Sequence, residues 1–466
     1  MTPTIVLALL ALSQTSQPDW TQTQHELHAG SVNVAYTATE GSIPLIESSG
    51  DVQARIYFTS YITPAKPGET RPLTFVWNGG PGGASILMHM FCMGPRILSE
   101  QKGPDGKQAF TIIDNPDTLL PTTDLIFVDP VGTGFSVAEK ADPKTYWGVE
   151  GDLKSMGAFI KKYIDMTGRK TSPVFMAGES YGTFRAAGLS SRLQRDDVNL
   201  KGIALISSAI HFDTFLAMDG NDVSYAVYIP TMTATASHYG KLKDQWNKHP
   251  EQAIAEAEKF ASGELWSAYE RADALTPKEA KHIAERLSEL TSIEPEVFER
   301  NHLRLDPDDF RGLILKKEHK TIDKNLGNMT GNINPAPPAA VDRYTQYLKD
   351  ELNFSGPRKY AALNMGANFA WNWGKSIYGL PNQSESLSAA MSKNPKLKVF
   401  VAGGLYDFTT PFYGSDYSMR HLNLPYELRG NWKLHTYEGG HMMYLNPSAH
   451  QLLCKDLTEF IVGAGK

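Results

Sequence analysis

The sequence predicts an α/β fold, a mostly parallel central sheet with helices on both faces and a mostly helical cap insertion. Three observations lead there. Apolar runs of strand length alternate with segments of helical periodicity through the first half of the chain. Glycine-rich or polar turns follow the ends of several of these runs, where open α/β sheets keep their sites. After about Ile210 the pattern changes to Ala-, Glu- and Lys-rich helix, and strand-like runs return only near Leu397.

Taken in order, Ser31 to Tyr61 carries short alternating segments (Val32, Val34, Tyr36, then Ala54, Ile56, Phe58) that read as antiparallel strands. Leu73-Thr-Phe-Val-Trp77 is an apolar strand that runs into Asn78-Gly-Gly-Pro-Gly-Gly-Ala-Ser85. Four glycines in the six residues 78–83 let the backbone approach a ligand and turn N–H groups toward it. Neither phosphate-loop spacing is present, because the lysine of one and the glycine interval of the other are missing. Asp124 to Val128 is a further buried strand, Gly151 to Ile164 a helix, and Leu200 to Ser207 another strand.

Between them lies Pro173-Val-Phe-Met-Ala-Gly178-Glu-Ser180-Tyr-Gly182. A strand that turns abruptly into a helix has no room for side chains two residues either side of the serine, so glycines flank it and the hydroxyl stands exposed. The new helix points its N–H groups and positive dipole end at charge developing there. Ser180 is the candidate nucleophile.

Residues 211–340 read as the cap. Thr276-Pro277-Lys-Glu279 is a helix-capping signature, and Asn332 to Ala340 is a linker by composition. The strand Leu397 to Ala402 runs into Gly-Gly-Leu-Tyr-Asp407, and Trp432 to Tyr437 into Glu-Gly-Gly-His441. The sheet domain is therefore expected in two parts, 14–210 and 341–466. Residues 1–13 resemble a secretory signal peptide, with an apolar run from Ile5 to Leu12 too short to span a bilayer. Gln14 to Gln24 is polar without a strand-pairing signal, which favours export to a secreted or periplasmic location.

Composition narrows the partners. With 41% hydrophobic and 21% charged residues the chain is ordinary globular protein, and a net charge of −6 without a basic run argues against nucleic acid. The two cysteines, Cys92 and Cys454, make no disulfide framework, although one bridge is open to them. No metal-ligand spacing occurs, so neither metal nor cofactor is expected. No membrane span is expected, and oligomeric state is left open, a homodimer included.

Serine catalysis needs a base to take the hydroxyl proton and a carboxylate to orient the base. His441 and Asp407 are the candidates, and the chain order Ser180, Asp407, His441 is that of α/β-hydrolases. His435 competes as base but alternates within a strand, and Asp129 competes as carboxylate but precedes the serine. The motifs Asn-Gly-Gly-Pro-Gly (78–82), Asp-Pro-Val-Gly-Thr-Gly-Phe-Ser (129–136), Gly-Glu-Ser-Tyr-Gly (178–182) and Gly-His-Met (440–442) resemble those of the serine carboxypeptidases, in the family's order. That resemblance implies an α/β-hydrolase fold with a helical insertion and a peptide substrate with a free C-terminus. It also implies oxyanion N–H groups from Gly80 and Tyr181, and a substrate carboxylate read by Asn78 and a protonated Glu179.

Two positions depart from the family pattern. Cys92 stands where a second glutamate is usual, and Val76 where a tryptophan is usual, with Trp77 beside it. Arg96 is a candidate replacement contact for the carboxylate, weighed against an ordinary surface arginine. The leading reading is an exported serine-type carboxypeptidase working through an acyl-enzyme. An esterase or acyltransferase on the same scaffold is the alternative, and an inactive binding protein the third reading.

Overall fold

The computed structural model describes residues 19–103, 106–331, 334, 336–374 and 379–465. The leader expected over 1–13 lies outside the described residues, as do Asn332, Ile333 and Pro335 of the expected linker.

Among the described residues twelve strands are formed: β1 (Asp19–Ala29), β2 (Val32–Ile46), β3 (Val52–Ile62), β4 (Leu73–Trp77), β5 (Arg96–Lys102), β6 (Gln108–Asp114), β7 (Asp124–Val128), β8 (Val137–Ala138), β9 (Val174–Glu179), β10 (Leu200–Ile206), β11 (Lys398–Gly404) and β12 (Trp432–Tyr437). The main sheet runs in the order β1-β2-β3-β7-β4-β9-β10-β11-β12, with β8 paired to β3, while β5 and β6 form a separate hairpin. From β7 to β12 every neighbouring pair is parallel, and β1 to β3 extend the sheet antiparallel.

The parallel strands are short apolar runs because both of their faces are covered. Within one strand, alternate residues serve opposite cores. Phe75, Ile126, Met176 and Leu205 pack with the helices Val149–Met166 and Tyr181–Arg195. Val76, Phe127, Phe175 and Ile206 pack toward the C-terminal helix Pro447–Ala464, through Leu453, Leu457 and Ile461. This is the α/β-hydrolase fold.

Between β10 and β11 the chain is helical. The helices from Asp222–His238 to Pro307–Leu313 bury a third core, including Met232, Phe260, Leu287 and Phe298, that also takes in Phe408 and Phe412 from beyond β11, whereas Pro338–Asp350 and Ser384–Lys393 pack into the two sheet cores. The signature at Thr276 is a capping box: Glu279 N–H donates to Thr276 Oγ1 at 3.3 Å, and Thr276 N–H donates to Glu279 Oε2 at 2.7 Å. Among the described residues no helix is long and apolar enough to cross a membrane.

Two elements differ from the sequence reading. The stretch Gln14 to Gln24, read as polar chain without a pairing signal, enters β1 from Asp19 onward, and β1 pairs in full register with β2 from Asp19↔Ser42 to Ala29↔Val32. It is an edge strand, so backbone pairing rather than an apolar face defines it, and only Leu27 and Ala29 are buried along it. The β5–β6 hairpin escaped for the same reason, since its strands are half-exposed and mixed in polarity.

Candidate active site

The C-terminal ends of β4, β9, β11 and β12 point to one edge of the sheet, and each is followed by a loop that carries a candidate residue. Ser180 closes β9 and opens the helix Tyr181–Arg195 with φ +57° and ψ −129°. A non-glycine residue in that region stores on the order of 1–3 kcal/mol of backbone strain, held here by the strand and helix on either side. Its flanking glycines are required by contact. A Cβ on Gly178 would lie 2.1 Å from the Gly182 carbonyl oxygen, and one on Gly182 would lie 2.8 Å from Trp77 Cδ1. Trp77, the departure beside Val76, donates from Nε1 to the Gly182 carbonyl at 2.8 Å and so ties β4 to the turn.

His441 Nδ1 lies 2.8 Å from Asp407 Oδ2, and both side chains are buried. Asp407 is fixed in turn by Thr409 N–H and Thr410 N–H on Oδ1, at 2.7 and 2.9 Å, and by Thr410 Oγ1–H on Oδ2 at 2.9 Å. That geometry leaves His441 Nε2 directed away from Asp407, and it lies 3.6 Å from Glu179 Oε1. Burial disfavours the imidazolium, but the Asp407 charge and hydrogen bond, helped by the Glu179 charge, outweigh it and raise the His441 pKa.

Asn78 and Glu179 meet across the ends of β4 and β9, with Asn78 Nδ2 donating to Glu179 Oε2 at 3.0 Å. Asn78 Oδ1 accepts from Met88 N–H at 3.0 Å, which fixes the orientation of the amide. Burial pushes the Glu179 pKa up, against the lowering effect of His441, Asn78 and the Gly79 N–H. The glycine loop abuts the serine turn so closely that a Cβ on Gly79 would lie 2.4 Å from Tyr181 N. Gly80 has φ +110°, which favours glycine. The N–H groups of Gly80 and Tyr181 thus belong to two touching segments.

These residues share a cleft of about 830 Å³. Asn78, Gly80, Glu179, Ser180 and His441 line it, with Ile86, Leu87, Val341, Leu363 and Met442 among the apolar residues of its walls. Asp407 sits behind His441, and Tyr181 behind Ser180. A serine hydroxyl, an imidazole bonded to a carboxylate, and N–H groups on two touching segments gathered at a largely apolar cleft are the parts that acyl transfer uses.

The competing residues are occupied elsewhere. His435 stacks on Phe400 and lies 3.2 Å from Asp456. Asp129 accepts from both N–H and Oγ1-type donors of one residue, Ser85 N and Ser85 Oγ at 2.8 Å each, and so holds the far end of the glycine loop. Arg96 is not a contact for a substrate carboxylate. It lies outside the cleft, its Nε 3.2 Å from Asp114 and its Nη1 3.3 Å from Glu351, because the hairpin it opens turns it toward those acids.

Sequence reasoning missed two supports. Arg185, buried on the helix after Ser180, pairs with Asp152 at 2.8 Å, donates from Nη1 to the Asn78 carbonyl at 3.0 Å, and lies over the rings of Trp77 and Tyr181. A charged residue at an inward position of a helix was the only signal available. Asn325, at the exit of the helical segment, accepts from His441 N–H at 2.6 Å through its carbonyl and from Thr409 Oγ1 at 2.8 Å through Oδ1. Nothing in its local sequence marks it.

The curated relatives that this chain matches by sequence include serine carboxypeptidases and serine carboxypeptidase-like proteins. Serine carboxypeptidase-like 44 of Arabidopsis thaliana is 30% identical over 195 residues, 40% of this chain and 38% of that protein. Retinoid-inducible serine carboxypeptidase of Mus musculus is 32% identical over 155 residues, 32% of each chain. The chain thus spans between about 24% and 39% of the length of these curated relatives. Among solved structures, the proline iminopeptidase of Mycobacterium smegmatis aligns with a TM-score of 0.41 at 13% identity, over 91% of this chain and 98% of that one. The family model for serine carboxypeptidases matches residues 45–454, nearly the whole described fold, and the chain belongs to the serine carboxypeptidase family.

Proposed function

We propose that this protein is a serine-type carboxypeptidase that releases C-terminal residues from peptides. The observation that carries the reading is the buried Asn78–Glu179 pair beside Ser180, a carboxyl whose raised pKa favours its acid form. A protonated Glu179 donates a hydrogen bond to a substrate carboxylate where an ionised one would repel it.

In this reading Ser180 Oγ attacks the scissile carbonyl while His441 Nε2 takes its proton, with Asp407 holding the imidazole in the needed tautomer. The N–H groups of Gly80 and Tyr181 receive the developing oxyanion. His441 returns the proton to the leaving amine, and water then attacks the acyl-Ser180 ester, its proton going to the same nitrogen. The helical residues 211–340 act as a cap on a sheet domain built from 14–210 and 341–466. The protein is exported by a leader over 1–13, so N-terminal sequencing from the native host should find a start near Gln14; an intact Met1 on cytoplasmic material would count against export.

The deciding measurement compares one peptide with a free and an amidated C-terminus. Strong preference for the free acid supports the proposal. Equal turnover favours an esterase or acyltransferase, a reading supported by Cys92 at the position where a second carboxyl is usual. Failure of Ser180 to label with a fluorophosphonate would leave the inactive binding protein.

A further inference from the structure

The chain has two cysteines, and the fold brings them together from opposite ends of the sequence. Cys92 lies in the turn His89–Met93, and Cys454 in the C-terminal helix Pro447–Ala464. Both are buried free thiols, and their Sγ atoms and a ring nitrogen of His450 lie within 4.8 Å of one another. The backbone at Cys92 is pinned to the helix that carries Cys454. Its carbonyl accepts from His450 Nε2 at 2.8 Å and from Asn115 Nδ2 at 2.9 Å, and Cys454 Sγ lies 3.9 Å from the same oxygen. A bridge asks the two sulfurs to move from within 4.8 Å of one another to bonding distance, by rotation about the Cα–Cβ bonds.

A metal ion is the other chemistry two thiols and an imidazole suggest. Here it fits poorly. Among the described residues the group has three members, where a closed zinc site takes four.

We propose that Cys92 and Cys454 are an oxidation site that closes to a single disulfide, tying the C-terminal helix to the turn behind Asn78. The oxidant is a disulfide, R–S–S–R. The Cys454 thiolate attacks one of its sulfurs, forming Cys454–S–S–R and releasing RS⁻. The Cys92 thiolate then attacks the Cys454 sulfur, forming the bridge and releasing the second RS⁻. The two protons lost by the protein end on the two thiolates, and two electrons pass from the cysteines to the oxidant. Burial of both thiols keeps the oxidant out of the closed fold, so the exchange takes place during folding or while the helix is open.

The bridge joins the segments on either side of the candidate site. On one side, Met88 N–H orients the Asn78 amide. On the other, the helix follows directly from the His441 loop, through the short turn Met443–Leu445. The proposal does not depend on which acyl transfer the site performs.

The test refolds the full chain in buffer containing reduced and oxidised glutathione, and in parallel with dithiothreitol. Each sample is denatured, alkylated with iodoacetamide and mapped by peptide mass. The proposal expects unalkylated cysteines and a Cys92–Cys454 linked peptide in the glutathione sample alone. It also expects the bridged protein to melt about 3–5 °C above the reduced one, with Cys454→Ser and Cys454→Ala melting independently of dithiothreitol. Two alkylated cysteines after refolding in glutathione would overturn it, as would thiols protected by stoichiometric zinc until a chelator is added. If neither variant folds, the peptide map of the natural chain still decides.

Discussion

Glu179 and His441 face each other at 3.6 Å, and their protons are interdependent. Each raises or lowers the other's affinity: the Glu179 charge raises the His441 pKa, and the His441 charge lowers that of Glu179. General-base chemistry needs neutral His441, so ester turnover should rise with pH through the raised imidazole pKa and then level off. Reading a peptide's carboxylate needs protonated Glu179, so the peptide's KM should climb as pH rises through the raised carboxyl pKa. A second glutamate would hold that proton over a wider range by mutual repulsion; with Cys92 in its place, peptide affinity should fall off early on the alkaline side. The measurement is KM against pH for a free-acid peptide beside an ester without a carboxylate; parallel curves would refute the role of Glu179. Glu179→Gln keeps a donor without a charge. It should flatten the peptide's KM curve and, by removing an anion beside the imidazole, move the ester profile to lower pH.

Ser180→Ala should leave the fold intact and lower turnover by orders of magnitude, to what binding and the oxyanion donors alone supply. His441→Ala should match it, whereas His435→Ala, a side chain stacked on Phe400 outside the cleft, should remain active. Ser180, Asp407 and His441 were legible because each needs a visible setting, a strand end and adjacent glycines. Arg185 was not, since its partners Asp152 and the Asn78 carbonyl come from elements distant in sequence.

At the scale of elements, that arginine fastens the helix after Ser180 to the loop after β4. Removing its charge would leave Asp152 buried and unpaired, costing about 3–5 kcal/mol of stability and confusing the result. Arg185→Lys keeps the charge and loses the fork. It should melt close to the natural protein yet lose on the order of ten- to a hundredfold in kcat/KM, because the glycine loop is no longer held in place. An unchanged kcat/KM would make Arg185 a packing residue only. The parallel strands could be read from sequence as apolar runs because they are covered on both faces. Strand β1 could not, because an edge strand is specified by the hydrogen bonds it completes, and those belong to β2.

For the whole molecule, alternation of strand and helix and the late return of strands were enough to give the architecture. The contact between the helical segment and the His441 loop was not, because it is made by main chain. His441 N–H is bonded to the Asn325 carbonyl, and a Cβ on Gly440 would lie 2.2 Å from that oxygen. Loosening of that segment on warming should therefore reach His441 before it reaches the sheet. The helices from Asp222–His238 to Pro307–Leu313 share a core largely their own, so they should loosen as a unit while the sheet stays folded. When they do, Asn325 leaves and His441 drifts. Hydrolysis should fail on heating at a temperature where β-sheet circular dichroism is still native, and should return on cooling. The cleft would then have a thermal fuse, set by helices packed in a core of their own.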